Sequence, residues 1–461
     1  MIPSYFETGG IYLATTLSEA NAISAEALAR YQAQFREKPE HRVVMNAILK
    51  NGIGAVALDH EAANRMTHTF SHEIETGPIT NQKQSGRCWL FAGLNVLRVD
   101  IARKIDLKEF QLSQSYMMFW DKLEKANYFL ESILDSASEP TNGRLIAWLL
   151  SAPLGDGGQW DMFVNLVNKY GVAPQTVMPE SFHSSQSMMM NRILTSKLRE
   201  DAARLRQSHA SGRPLAALRG EKEMMMAEFY QMLCHFLGEP PESFDFEYRD
   251  EKKEYHAERN LTPKTFYARF VDRRLEDYVS VINAPTADKP FNHPYTVRYL
   301  GNVVGGRDVL YLNVDVKTLR DLAVAQIKDN EPVWFGCDVG KMMDRDRGSL
   351  DPEQYAFAAT LDVNLDMSKA TRLDYGDSLM THAMVFMGVN LVDGEPNRWK
   401  VENSWGTETG NKGYYVMSQN WFDEYMYQVV VHKKYLPEHL VKALMETPKE
   451  LAPWDPMGSL A

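Results

Sequence analysis

The run Asn81-Gln82-Lys83-Gln84-Ser85-Gly86-Arg87-Cys88-Trp89 places one thiol where a loop gives way to an apolar stretch. Leu90, Leu94, Leu97, Ile101 and Ile105 then recur three or four apart, which predicts a helix starting at or near Cys88. The unpaired amides and the macrodipole of a helix start favour the thiolate, the nucleophilic form of cysteine. Gln82, in the loop before it, can aim a side-chain amide at a negative oxygen developing beside the sulfur. Trp89 can pack the helix start against its surroundings. A lone cysteine at such a position is more often a small buried hydrophobe, so the chemistry needs partners.

A thiol nucleophile requires an imidazole within hydrogen-bond reach and a third group to hold the ring. Of the 12 histidines, His382 in Ser378-Leu379-Met380-Thr381-His382-Ala383-Met384-Val385 stands at the head of an apolar β run. From there it can point off a sheet edge into a cleft. The segment Trp399-Lys400-Val401-Glu402-Asn403-Ser404-Trp405-Gly406 reads as a strand and its exit turn. Asn403 can accept from one ring nitrogen of His382, and the Trp405 indole can shield that bond from water. A plain strand-end turn is the other reading of Asn-Ser-Trp-Gly. Three matches in the order Gln/Cys, His, Asn favour the catalytic one.

The elements that must position these groups fall into two characters. The first half reads as helical, over 17–50, from Cys88, from Ser113, and over 159–170 closed by Gly171. From about 186 to 260, Met, Leu, Ala and Arg dominate, which suggests a helical insertion. After about 290, short β-branched or aromatic runs appear at 309–314, 333–337, 383–389, 399–402, 414–417 and 429–431. The reading is α+β, with the thiol delivered from a helix and the imidazole from a sheet. The last residues, 451–461, carry two prolines and one glycine and read as an extended tail.

These motifs resemble papain-like cysteine peptidases. Ser85-Gly86-Arg87-Cys88-Trp89 matches their Cys-Gly-Ser/Ala-Cys-Trp/Tyr signature, with Ser85 in place of the first cysteine. The stretch between Cys88 and His382 is roughly twice the about 130–150 residues of simple papain-like enzymes, an excess that fits the insertion. Gln82 through Ala92, Gly157-Gly158-Gln159-Trp160-Asp161-Met162 and the tail Trp454-Asp455-Pro456-Met457-Gly458-Ser459-Leu460-Ala461 are most similar to the bleomycin hydrolase and bacterial aminopeptidase C branch. That resemblance runs nearly end to end.

It implies a two-lobe fold, a helical lobe plus a β-barrel-like lobe, with a large helical insertion and a C-terminal arm. The expected division is an N-terminal helical extension at 1–66, the Cys88 lobe at 67–185 and a mainly helical, oligomerising insertion at 186–290. The β-rich lobe with His382 and Asn403 follows at 291–445, and the arm at 446–461. The resemblance further implies a Cys88, His382, Asn403 catalytic set with Gln82 at the oxyanion, Trp405 shielding the ring, and Gly157 and Gly158 presenting backbone to substrate. It implies a homohexameric ring enclosing a channel. The arm would lie in the cleft, with the Ala461 carboxylate meeting the ammonium of a substrate that has a free N-terminus. No metal or organic cofactor is called for.

Composition bounds the alternatives. With 461 residues, 44% apolar and 24% charged, the chain is an ordinary globular one. Its net charge of −11 opposes a general appetite for nucleic acid or anionic membrane. Residues 191–222 are an exception, with eight Lys/Arg against three acids, read as a solvated helix face or a basic surface facing a polyanion. Three cysteines build no disulfide framework. The N-terminus lacks a signal-peptide pattern and no window reaches membrane-spanning length, so the expected location is cytoplasmic. An endopeptidase of the same family, a nucleic-acid-binding protein and an inactive structural relative are the competing readings.

Overall fold

The computed structural model describes residues 21–460, so the first part of the 17–50 helical expectation and Ala461 lie outside the described residues. The chain forms two compact units, one of Met1–Asp59 with Tyr355–Leu365, the other of His60–Gln354 with Asp366–Ala461.

In the smaller unit, Ser24 caps the helix Ala25–Glu37 by accepting from the Ala27 amide at 3.1 Å. Pro39 opens the next helix, Pro39–Asn51, where its missing N–H costs nothing. Neither helix buries a single residue, and Leu28, Tyr31, Val43 and Leu49 are exposed.

In the larger unit, the helix Cys88–Ile105 is buried on nearly every side, including all five residues that carry its apolar repeat. Gln114–Asp135 and Trp160–Tyr170 pack beside it. Ser113 caps the former, and Gly171 ends the latter at φ 74°, as the sequence pattern implies. Two 23-residue helices follow, Met188–Ala210 and Leu215–Leu237.

The segment after them departs from the mainly helical expectation. Phe244–Arg249 and Tyr255–Leu261 pair as an antiparallel hairpin. The reason is local: Phe244, Phe246 and Tyr248 alternate with Asp245, Glu247 and Arg249, a period of two that compositional averaging conceals. Seven of the eight basic residues of 191–222 have intramolecular partners. Lys197, Arg204, Arg213, Arg219 and Lys222 pair with carboxylates. Arg199 and Arg206 donate to the carbonyls of Leu150 and Ser136.

Among the described residues, the strands of the β-rich half and the short strand His72–Glu73 form one twelve-stranded sheet. At its centre Val333–Cys337 lies between Met426–His432 and His382–Val392, all antiparallel. Glu395–Glu402 and Tyr414–Ser418 continue from the latter. Val333–Cys337 is buried end to end, as its unbroken apolar sequence requires. In the arm, Lys449–Leu451 adds in parallel to His293–Val297, and a 3₁₀ turn spans Pro456–Gly458. The fold is α+β, helices on one side of the site and sheet on the other.

Candidate active site

Cys88 is the first residue of its helix, and no side chain caps that end. The orphan amides of the first turn therefore remain available to the sulfur. The amides of Cys88 and Trp89 and that of Ala383 all reach Sγ and favour its charged form. The Ala383 contact matters most for placement, because Ala383 directly follows His382 at the start of a buried strand. Helix tip and sheet edge meet at the thiol.

His382 pairs with Cys337 across the sheet, which fixes its register. Its Nε2 lies 2.9 Å from Asn403 Oδ1. The same Oδ1 accepts from the Ser404 amide at 2.8 Å, which locks the Asn403 rotamer. The Trp405 ring lies 4.8 Å from the imidazole, tilted by 37°. After Trp405 the chain turns at Gly406, φ 77°, where a Cβ would meet the Asn81 amide at 2.4 Å. Only glycine lets this turn close on the Gln82 loop.

That loop is held by paired hydrogen bonds. The Gln82 amide donates to the Ser404 carbonyl at 2.8 Å, and Ser404 Oγ donates to Gln82 Oε1 at 2.7 Å. With the oxygen so engaged, Gln82 Nε2 turns toward the loop before Cys88 and donates to Ser85 O at 2.6 Å. Arg87, fully buried, holds the loop from behind through a two-point pair with Glu180 at 2.9 and 2.7 Å.

Burial opposes charge on either reactive group. It pushes the Cys88 thiol up to about 11, against the three amides. It pushes the His382 ring down to about 4, against the Asn403 hydrogen bond that favours the protonated form. The resting pair is therefore thiol and neutral imidazole. Proton transfer from sulfur to ring creates both charges together, where the amides and Asn403 are arranged to receive them.

Gly158 is required by packing, since a Cβ there would lie 2.4 Å from the Trp89 ring. Gly157 is held through its carbonyl, which accepts from Lys125 Nζ at 2.6 Å. Asp156 stands just before this pair, and no sequence motif marks it. Its carboxylate accepts from the Gly86 amide at 2.9 Å, Lys122 at 2.5 Å, Ser187 at 2.5 Å and Asn191 at 2.7 Å. Its carbonyl accepts from Trp89 Nε1 at 2.6 Å. One residue thus ties the glycine loop to the loop that carries Cys88. Beside it, a cavity of about 240 Å³ is lined by Phe129, Trp148, Met162, Tyr299 and Leu460 of the arm. Asp156 carried no pattern of its own; the signal was its place before two glycines.

Among the described residues one convergence of potential metal ligands occurs, Asp250, Glu254 and His256 in the hairpin turn. His256 already engages Asp250 at 3.1 Å there. No helix among the described residues is long and apolar enough to cross a membrane.

The model of the Peptidase C1-like family matches residues 22–458. Aminopeptidase C of Listeria monocytogenes is 50% identical over 439 residues, covering 95% of this chain and 99% of that protein. Aminopeptidase C of Lactobacillus delbrueckii subsp. lactis is 45% identical over 442 residues, covering 95% and 98%. The crystal structure of PepW from Lactobacillus rhamnosis superposes with a TM-score of 0.95 at 50% identity, covering 96% of this chain and 100% of that one. By family match, identity and fold, the chain belongs to the Peptidase C1-like family of papain-like cysteine peptidases.

Proposed function

We propose that this protein is a cysteine aminopeptidase that releases N-terminal residues from peptides through an acyl-enzyme on Cys88. The observation that carries the reading is the junction at the thiol. Cys88 takes a hydrogen bond from the amide of Ala383, next to an imidazole whose far nitrogen is engaged by Asn403. Nε2 being committed, Nδ1 is the nitrogen that takes the thiol proton.

The thiolate attacks the scissile carbonyl, and the oxyanion forms between the Cys88 amide and Gln82 Nε2. Protonated His382 donates to the leaving amine, giving the acyl-enzyme and a shortened peptide. Neutral His382 then activates water for deacylation, and the thiol is restored. Asn403 keeps the ring in its tautomer and plane; Trp405 covers the bond. Gly157 and Gly158 offer close backbone approach to substrate. No metal or organic cofactor enters these steps.

The exopeptidase character rests on the arm. Leu460 lines the cavity beside Gly155, which supports an arm that lies along the acyl side of the cleft. The Ala461 carboxylate would meet the substrate ammonium. The relatives named Aminopeptidase C favour this over an endopeptidase. The paired state of the 191–222 cations gives nucleic-acid binding little support. The apolar side chains exposed on Ala25–Glu37 and Pro39–Asn51 favour assembly, for which a homohexamer is the reading. A cytoplasmic location suits a catalytic thiol without disulfides.

Product mapping on matched peptides with free and acetylated N-termini tests this. Stepwise loss from the free peptide and sparing of the acetylated one is expected. Internal cleavage of both would establish the endopeptidase alternative.

A further inference from the structure

Side chains from outside the arm hold it at three points: Arg144 lies over the Trp454 ring at 3.8 Å, and polar contacts fix the root and the tip. At the root, Lys289 Nζ is buried and pairs with Asp455 Oδ2 at 2.9 Å and with the more exposed Asp288 at 2.8 Å; the Asp455 side chain is mostly covered. Asp455 also caps the turn Pro456–Gly458, accepting from the Met457 amide at 2.8 Å, while its carbonyl accepts from Gly458 at 2.8 Å. The ion pair and the turn thus share one carboxylate, so the charge pair sets the direction in which residues 459 and 460 leave the turn.

At the tip, Gln159 Nε2 donates to the Ser459 carbonyl at 2.8 Å. Gln159 is fully buried and follows Gly158, whose backbone lies against Trp89 beside the nucleophile. The hydrogen bond therefore sets the register of the last residues directly against the loop proposed to bind substrate. The remaining polar atoms of this contact, Gln159 Oε1 and Ser459 Oγ, are buried without hydrogen-bond partners. The contact is held by one bond with no reserve, so removing it leaves nothing polar to retain the register.

We propose that Gln159 and the Lys289–Asp455 pair are specificity-determining residues. By clamping tip and root of the arm, they set how many substrate residues the cleft admits ahead of the scissile bond. This rests on the reading that the arm blocks the acyl side of the cleft. Loosening either clamp lets the arm withdraw part of the time, and peptides without a free N-terminus then gain entry.

The test compares cleavage of one peptide in free and N-acetylated forms by the full-length protein, by Gln159→Leu, by Asp455→Asn and by a chain ending at Ala452. Asp455→Asn keeps the cap geometry and removes only the charge, and circular dichroism with thermal unfolding identifies any variant that fails to fold. The truncated chain should cleave the acetylated peptide readily. Both point variants should raise the acetylated-to-free rate ratio about 5- to 10-fold, as expected for loss of one buried bond that biases a two-state arm. If truncation raises the ratio and neither folded point variant does, the clamp assignment is overturned while the arm reading stands. If truncation itself leaves the ratio unchanged, the arm reading fails and the clamp with it.

Discussion

Arg98 of the Cys88 helix donates to Glu402 at 2.7 Å, and Glu402 is the residue before Asn403. Both side chains are essentially without solvent exposure. Glu402 also accepts from Asn95, on the same helix, at 2.7 Å and from Thr76 at 2.6 Å. The helix that presents the thiol and the strand that carries Asn403 are thus joined by one buried network, in which Arg98 Nε alone is left without a partner. Burial pushes the Glu402 carboxyl up, and Arg98 opposes that shift.

Glu402→Gln leaves the Arg98 guanidinium buried without its counter-charge. A loss of about 3–5 kcal/mol in unfolding free energy is expected, read from denaturant midpoints. The turnover number should fall as well, because the helix and the Asn403 strand lose their common anchor.

Asn403→Ala removes the hydrogen bond that favours the charged imidazole. The acid limb of kcat/KM, set by His382 from a value already depressed to about 4, should move to still lower pH. Loss of the ring's orientation should also cut kcat by about 10²-fold. A pH–rate profile checks both. The sign follows from the bond: Asn403 Oδ1 accepts from the ring and stabilises its proton, so its removal lowers the proton affinity.

Gly158→Ala forces a methyl group into the Trp89 ring. Overpacking of this kind costs about 1–3 kcal/mol. Thermal unfolding should report the loss, and displacement of the glycine loop should raise KM.

Asp156→Asn keeps the shape of the hub and removes its charge. Burial pushes the Asp156 carboxyl up, but Lys122, Ser187 and the Gly86 amide outweigh it and hold the group well below the usual carboxylate range. Its stabilisation is therefore present above the ordinary Asp value and lost as pH falls toward the depressed one. The melting temperature of the variant should lie below that of the parent at neutral pH. The difference should narrow below about pH 4.

Much of the site was legible in residue types because each group sits at an element boundary that leaves a mark. Cys88 heads an apolar 3.6-residue repeat, His382 heads a β run, and Asn403 precedes a turn glycine. The strand runs at 333–337 and 414–417 correspond closely to Val333–Cys337 and Tyr414–Ser418 for the same reason. What the sequence concealed depends on distant contacts. Asp156 and Lys122 meet only once two helices and a loop are packed. Lys289 and Asp455 meet only after the chain has crossed the whole β half. The hairpin at 244–261 was readable by its alternation, but the surrounding helix-forming composition masked it.

Stoichiometric alkylation asks whether Cys88 is the attacking group. Iodoacetamide is titrated into the intact protein, with peptide mapping of Cys88, Cys234 and Cys337 at each step and aminopeptidase rate measured in parallel. Activity is expected to fall in proportion to Cys88 modification, and Cys88→Ala is expected to be inactive yet assembled as the parent is. Full modification of Cys88 with activity retained, or turnover by Cys88→Ala, would show that another group attacks.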